Sequence, residues 1–214
     1  MTIALIDYGA GNLTSVRKAL HHLDAVFTTP ASPAELAECA AIIVPGVGNF
    51  HATKALDGDR IKSWRRAIGA VVLDGRPLLG ICLGLQWLCD GSAEAPQLKG
   101  LGAIPGTCTL ITNNIEEDAR LGMFKVPHVG WNSLHLNQPS WLLEGVSEGD
   151  QVYFTHSYAA PVTSDCVAST KYGIEFASAV ARDHIAGVQF HPEKSGDVGL
   201  RILSNFLTRV GRGH

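Results

Sequence analysis

A cysteine stands where the sequence predicts a strand that turns sharply into a helix, within Gly80-Ile81-Cys82-Leu83-Gly84. The run 77–81 is apolar enough for a buried strand, and 85–88 fits a helix. The flanking glycines leave room for a tight elbow, and the N-terminus of the next helix favours a thiolate. Cys82 is therefore a candidate nucleophile, although a lone G-x-C-x-G also suits a small buried packing residue.

A histidine and a glutamate follow a second apolar strand, 185–190, as His191-Pro192-Glu193. Residues two apart in extended backbone face the same side, and Pro192 biases His191 toward that conformation. Glu193 is then placed to accept the proton of one ring nitrogen and leave the other as a base for Cys82. A surface histidine beside a glutamate is common, so the pair indicates catalysis only if the strands before Cys82 and His191 end at the same sheet edge.

A glycine-containing loop, P-G-V-G at 45–48, follows a third apolar strand at 42–44. Its glycines allow a backbone N–H to turn toward a reacting carbonyl. Val47 and Gly48, with Leu83 just after the cysteine, are candidate oxyanion donors. The same loop would also make an ordinary strand-to-helix turn, so it indicates catalysis only in combination with the cysteine and the histidine.

The elements that must position these residues fall into two halves. Strands and helices alternate in the first half, which implies parallel strands with helices on both faces. The predicted strands there are 3–6, 25–28, 41–44 and 77–81, and the predicted helices start at 13 and span 34–39 and 61–72. Strands follow one another closely in the second half, at 101–111, 125–136, 151–159, 166–171, 175–181 and 185–190.

A last helix carries an apolar stripe, made by Leu203, Phe206, Leu207 and Val210. The sequence thus predicts a single α/β domain over 1–214. Its sheet is open and mostly parallel and is flanked by helices, with an antiparallel portion in the second half. Ligands of such sheets bind beyond the carboxyl ends of the strands, where the candidate residues would lie.

Composition argues against several classes of function. The chain has 214 residues, of which 46% are hydrophobic and 17% charged, with a net charge of -3, and this suits one substantial core. No apolar run is long enough to span a bilayer, and the densest basic cluster, 60–66, is interrupted by apolar residues, so neither a membrane nor a nucleic acid is expected as partner. The five cysteines form no C-x-x-C and no signal peptide is seen, which predicts a reducing cytoplasm and no metal site.

Two nucleotide-binding patterns are also lacking. Gly9-Ala10-Gly11 follows the first strand but has Thr14 where a dinucleotide fingerprint needs its third glycine. No G-x-x-x-x-G-K-[ST] phosphate loop occurs. An enzyme that activates an acceptor with ATP needs such a site, so we expect no cofactor in this chain.

Taken together, these motifs resemble the class I glutamine amidotransferases, whose cysteine lies in G-x-C-x-G and whose histidine and glutamate lie in H-P-E. The resemblance covers nearly the whole chain and narrows to the glutaminase subunits of imidazole glycerol phosphate synthases. Four segments carry it: D-Y-G-A-G-N-L at 7–13, P-H-V-G-W-N at 127–132, Y-F-T-H-S-Y at 153–158 and H-P-E-K-S at 191–195. Trp87 is bulkier than this pattern leads one to expect, and 112–121 resembles an extra loop.

The resemblance implies a flavodoxin-like sheet and hydrolysis of glutamine to glutamate and ammonia through a thioester on Cys82, with His191 and Glu193 completing the catalytic residues. The ammonia would pass to a cyclase (synthase) subunit that makes imidazole glycerol phosphate and AICAR in histidine biosynthesis. The residues implied to hold glutamine are Gly48, Gln86, Ser157 and Tyr158. Those implied at the partner interface or ammonia exit are Asn12, Trp131, Tyr153 and Lys194.

Two alternatives from other classes stay open. A cysteine-dependent peptidase or deglycase of similar α/β architecture would use an elbow cysteine and a histidine, but it has no need of H-P-E or of Gln86 four residues after the nucleophile. A catalytically silent interaction subunit would use the same surfaces only to dock a partner, and the presence of Cys82, His191 and Glu193 argues against it.

Overall fold

A central eight-stranded sheet positions Cys82 and His191 in the computed structural model, which describes residues 1–11, 13–58, 63–112 and 125–211. The first five strands of the sheet pair in parallel, and the last three add antiparallel. In spatial order they are β2 (Phe27–Thr28), β1 (Ile3–Leu5), β3 (Ala41–Gly46), β4 (Leu78–Cys82), β13 (Ile185–Val188), β12 (Ile174–Arg182), β11 (Cys166–Tyr172) and β8 (His135–Leu136). The order of the parallel part is that of a flavodoxin-like sheet, so the predicted fold class is confirmed.

Helices cover both faces of this sheet, because its strands alternate their side chains between two apolar clusters. Ile3 and Leu5 of β1 belong to one cluster, and Ala4 and Ile6 belong to the other. The α-helices within the described residues are α1 (Leu13–His22), α2 (Trp64–Leu73), α3 (Leu83–Leu88) and α4 (Gly196–Gly211). Buried apolar residues of α1 and α4 join the first cluster. Those of α2 join the second, together with Leu85, Trp87 and Leu88 of α3.

The last helix buries the predicted apolar stripe, except that one of its four residues is replaced by another. Leu203, Phe206 and Val210 are buried, whereas Leu207 is half-buried and Ile202 takes the fourth buried position. The shorter helices are 3₁₀ segments at Pro33–Glu38, Phe50–Leu56, Trp141–Leu143 and Pro192–Lys194. The predicted start of the helix at 61 lies outside the described residues. No helix within the described residues is long and apolar enough to cross a membrane.

Two small sheets contain parts of strands that the sequence predicted as longer runs, together with β5, which the sequence did not predict. One contains β10 (Tyr158–Ala159), β6 (Thr107–Leu110) and β5 (Gly91–Ser92), and the other pairs β7 (His128–Ser133) with β9 (Gln151–His156). The predicted strand 151–159 therefore divides at Ser157, where the chain leaves one sheet for the next.

The predicted strand 125–136 divides in the same way, at the fully buried Leu134 between β7 and β8. The predicted strand 101–111 is confined to Thr107–Leu110, because Gly102 and Gly106 have φ angles of 73° and 111° that turn the chain. In the first half, β3 runs on through Pro45 and Gly46, which the sequence placed in a loop.

Candidate active site

Cys82 is the last residue of β4 and the residue before α3, as the elbow prediction requires. Its φ and ψ are 53° and -104°, a conformation that L-residues rarely adopt. The glycines on either side are needed for packing: a Cβ on Gly84 would overlap the carbonyl oxygen of Val44, and one on Gly80 would lie 2.7 Å from the backbone of Gly84. The sulfur is thereby held at the carboxyl end of the central strand of the sheet, with the side chain only 4% exposed.

His191 follows β13, which pairs in parallel with β4, so the candidate base and the cysteine meet at one sheet edge. Its backbone is extended, with φ -99° and ψ 96°. The ring Nδ1 lies 2.8 Å from Oε1 of Glu193, and both side chains are almost fully buried, at 3% and 4% exposed. The Ser195 hydroxyl donates to the His191 carbonyl at 2.6 Å and fixes the turn that brings the glutamate back.

The electrostatics of this pair favour a charged imidazole. Burial lowers the pKa of His191, but the interactions with Cys82 and with the Glu193 carboxylate outweigh it and raise the pKa to about 9. The other ring nitrogen, Nε2, makes no hydrogen bond of ordinary geometry with the described residues. At neutral pH the ring therefore holds a proton that it can release to a departing group on the Cys82 side.

A cavity of about 270 Å³ opens beside the sulfur and is lined by most of the candidate site residues from the sequence. Its described lining includes every residue proposed for the oxyanion hole and for glutamine. The lining consists of Val47, Gly48, Cys82, Leu83, Gln86, Glu94, Pro127, Thr155, His156, Ser157 and Tyr158. The sequence analysis gave no site role to Glu94, Pro127, Thr155 and His156, although the last three lie in segments that carry the family resemblance.

The oxyanion candidates sit on the ends of two adjacent strands. Gly46 pairs with Cys82 across β3 and β4, so the next two residues of the chain reach over the sulfur. Gly48 has a φ of 107°, which suits glycine and lets its N–H point where other residues could not direct it. Pro45 is tolerated within β3 because β1 pairs with that strand only as far as Ile43.

Gln86, on α3, is 4% exposed and anchored by its amide nitrogen. That nitrogen donates to the Tyr158 carbonyl at 2.7 Å and to Oε1 of Gln189 at 3.2 Å. The Nε2 of Gln189 in turn lies 3.6 Å from the Cys82 sulfur. Sequence analysis missed Gln189, although a polar residue inside the apolar run 185–190 signals a buried group that must have a partner.

Three of the four residues implied at the partner interface are described, and they lie close together. Trp131 is 55% exposed, and its ring centroid is 6.1 Å from that of Tyr153. The Lys194 ammonium lies 5.8 Å from the Tyr153 ring centroid, within the range of a cation–π contact. Asn12 lies outside the described residues. Three of the four positions therefore form an aromatic patch with a positive charge beside Glu193.

The two departures from the family pattern have separate outcomes. Trp87 is fully buried in α3, with the Arg65 guanidinium 5.5 Å from its ring centroid. Its large side chain packs within the second apolar cluster. The extra loop predicted at 112–121 lies outside the described residues except for Thr112.

Comparisons with known proteins agree with this geometry. The family model "Glutamine amidotransferase class-I" matches residues 4–210. The relative named "Imidazole glycerol phosphate synthase subunit HisH" from Methanothermobacter thermautotrophicus is 42% identical over 206 residues, which cover 96% of this chain and 97% of the relative. The protein of that name from Geobacillus kaustophilus is 43% identical over 216 residues and covers 99% of each chain.

Solved structures support the same fold at lower sequence identity. A crystal structure of a glutamine amidotransferase superposes with a TM-score of 0.73 at 18% identity, over 97% of this chain and 98% of that chain. The structure of PurLQS from Thermotoga maritima gives 0.70 at 16% identity, over 97% of each chain. The family match and the relatives above 40% identity together show that the chain belongs to the class I glutamine amidotransferase family.

Proposed function

We propose that the chain is the glutamine amidotransferase subunit of an imidazole glycerol phosphate synthase and acts in histidine biosynthesis. In this role it hydrolyses glutamine to glutamate and ammonia, and a cyclase partner uses the ammonia to form imidazole glycerol phosphate and AICAR. The observation that carries the proposal is the buried Cys82, His191 and Glu193 group beside a 270 Å³ cavity. Relatives at 42% and 43% identity with the HisH name support the choice of synthase.

The first half of the reaction forms a thioester. The Cys82 sulfur attacks Cδ of the glutamine side chain, and the carbonyl oxygen becomes an oxyanion that N–H groups of Val47, Gly48 and Leu83 can stabilise. The C–N bond then breaks as His191 gives its Nε2 proton to the leaving nitrogen, which departs as ammonia. Glu193 accepts the hydrogen bond from Nδ1 and keeps the ring oriented through both steps.

The second half returns the cysteine. A water molecule gives a proton to the now neutral His191 as its oxygen attacks the thioester carbon. The C–S bond breaks, glutamate leaves, and the sulfur and imidazolium return to their starting states. Cys82, His191 and Glu193 thus act as a catalytic triad in this proposal, and neither half of the reaction requires a cofactor.

Glutamine would be held by Gly48, Gln86, Ser157 and Tyr158. Because both amide protons of Gln86 are taken by protein acceptors, its carbonyl oxygen is the atom that a substrate ammonium would meet. Glu94 is the only carboxylate among the described lining residues of the cavity, and it supplies the negative charge that an α-ammonium group needs.

The partner would dock on the aromatic patch formed by Trp131, Tyr153 and Lys194, with Asn12 contributing by resemblance. An exposed tryptophan and a tyrosine beside a lysine are the kind of anchors that interfaces favour. We infer that the chain and its partner form a heterodimer, and that the lyase activity belongs to the whole enzyme. Within it, residues 1–214 form one domain. The five cysteines are all buried and free, in keeping with a reducing cytoplasm.

The test uses the complex with the cyclase subunit from the same organism. Cys82→Ala should abolish synthesis from glutamine but leave synthesis from added ammonium salt, because only ammonia production needs the sulfur. Glutamine-dependent synthesis at near wild-type rate would show that Cys82 is not the nucleophile. Turnover of free glutamine separates this function from a peptidase or deglycase, and no turnover with the partner present would support a silent interaction subunit.

A further inference from the structure

Gln189 is a fully buried polar residue between the end of β13 and His191. Its backbone N–H donates to the Ser178 carbonyl at 2.8 Å, so the main chain is fixed by the neighbouring strand β12. The side chain has no access to water, and its amide must find partners inside the protein. Those partners are the Cys82 sulfur on one side and the Gln86 amide on the other.

The orientation of both amides is fixed by their neighbours. The Tyr158 carbonyl can only accept, so the Gln86 atom 2.7 Å away is the NH₂ group. That NH₂ group presents its second proton to Gln189, so the facing Gln189 atom is the carbonyl oxygen, at 3.2 Å. The Gln189 NH₂ group is then the part that faces the sulfur, at 3.6 Å. The chain of donors therefore runs from Gln189 to Cys82 and from Gln86 to Gln189.

A second set of contacts keeps the Tyr158 carbonyl in place. The ring Nδ1 of His156 lies 3.0 Å from that oxygen, so Nδ1 carries the proton and Nε2 is the acceptor. The Nε2 atom faces Nδ1 of His128 at 3.1 Å, which must then donate. Burial lowers the pKa of His156 to about 3, so its ring stays neutral and this arrangement holds at neutral pH.

We propose that Gln189 is a positioning residue that holds the Cys82 sulfur through its N–H and links it to Gln86 through its carbonyl oxygen. An N–H donor stabilises an anionic sulfur more than a neutral thiol, so the contact favours the reactive form. The link to Gln86 also sets the sulfur at a fixed place relative to the bound substrate. The role of Gln86 in this inference rests on the proposed glutamine function, whereas the contact with the sulfur does not.

Two near-isosteric substitutions separate the two contacts. Gln189→Glu keeps an acceptor for the Gln86 amide and, when its carboxyl is ionised, puts a negative charge in place of the donor to the sulfur. Gln189→Met removes both at similar side-chain length. Gln138→Met is the matched control, because Gln138 donates to the carbonyls of Ser164 and Cys166 and touches no catalytic group.

The first measurement is alkylation of Cys82 by iodoacetamide between pH 5 and 9, followed by peptide mass spectrometry. Loss of a hydrogen bond to a charged group should slow alkylation at pH 7 about tenfold in Gln189→Met and move the half-maximal pH upward by about one unit. An ionised carboxylate in Gln189→Glu should slow alkylation at least as much, because it repels the anionic sulfur. Gln138→Met should match the wild type. A half-maximal pH unchanged in Gln189→Met would overturn the proposal, because a purely structural role would alter stability and not this profile.

The second measurement is glutamine hydrolysis by the complex with the partner subunit. We expect kcat to fall about tenfold in both variants, and KM for glutamine to rise severalfold only in Gln189→Met. Equal KM changes in the two variants would refute the link to Gln86. If the wild-type complex does not hydrolyse glutamine, the proposed function fails, and the alkylation profile still decides the contact with the sulfur.

A third measurement needs no substitution and covers variants that fail to fold. In the wild-type chain, the NMR signal of the Gln189 side-chain amide should shift with the same pH midpoint as Cys82 alkylation. It should shift again once Cys82 is alkylated. An amide signal that shifts neither with pH nor on alkylation of Cys82 would show that Gln189 does not hold the sulfur.

Discussion

The strength of the His191 and Glu193 pair can be tested through the pH dependence of stability. The rise in the His191 pKa from 6.5 to about 9 corresponds to about 3 kcal/mol of preference for the charged ring in the folded chain. Glu193→Gln keeps the side-chain size and removes the charge. A hydrogen bond to a charged group contributes about 1.5 to 3 kcal/mol, so we expect the His191 pKa to fall by about one to two.

The sign of the effect follows from linkage. Because the folded pKa is raised, the stabilisation is fully present below pH 6.5 and is lost as the pH rises through about 9. Glu193→Gln should therefore reduce the free energy of unfolding most at pH 6, and the loss should shrink by about 1.5 to 3 kcal/mol at pH 10. Urea unfolding of both proteins at the two pH values measures this difference.

The same substitution should lower kcat for glutamine by at least about a hundredfold, since the ring loses its fixed orientation. Glu148→Gln is the matched control: Glu148 lies 2.7 Å from Nδ1 of His135, but both side chains are more than half exposed. Such a surface pair contributes little, so neither kcat nor stability should change much. An equal loss of stability at pH 6 and pH 10 in Glu193→Gln would refute the reasoning about the buried pair.

Three further predictions use other parts of the molecule. A diazo-ketone analogue of glutamine should label Cys82 far ahead of the other cysteines. Burial raises the thiol pKa of Cys39 and Cys166, and Cys82 alone of the five cysteines lines the cavity proposed for the substrate. Label spread over several mapped peptides would count against this. Burial lowers the pKa of His128 to about 4 and that of His156 to about 3, so the stability they contribute is complete above pH 6.5 and is lost as the pH falls toward those values. His128→Asn should flatten the acid limb of an unfolding profile, and an unchanged limb would contradict that. Finally, the glutaminase rate should rise from the chain alone to the complex and again with the partner's ligand, and Lys194→Ala should weaken this rise; equal rates in all three states would exclude the coupling.

The sequence was sufficient where one local pattern decides the structure. The glycines around Cys82 dictate the elbow, and His191-Pro192-Glu193 dictates a short turn after a buried strand, so both could be read without any tertiary information. Parallel pairing then brings them together, because the strands that carry them are neighbours in the sheet.

The sequence was insufficient where a distant partner decides. Nothing local marks Ser157 or Leu134 as the point where a chain leaves one sheet for another, since the break depends on which strand is paired on each side. The role of Gln189 was missed for a similar reason, because it depends on a contact with Cys82, which is 107 residues away in the chain. Glu94 and His156 reach the cavity from loops and strand ends whose direction is set by the whole fold.

The position of the nucleophile's strand has a consequence for synthesis of the chain. Strand β4 lies between β3, which precedes the proposed oxyanion loop, and β13, which precedes the proposed base. Because β13 is the last strand to be made, the neighbour that carries His191 is absent while the chain is still emerging from the ribosome. A nascent or truncated chain thus holds Cys82 without His191. Under the proposed mechanism, such a chain would not release ammonia before the subunit is complete.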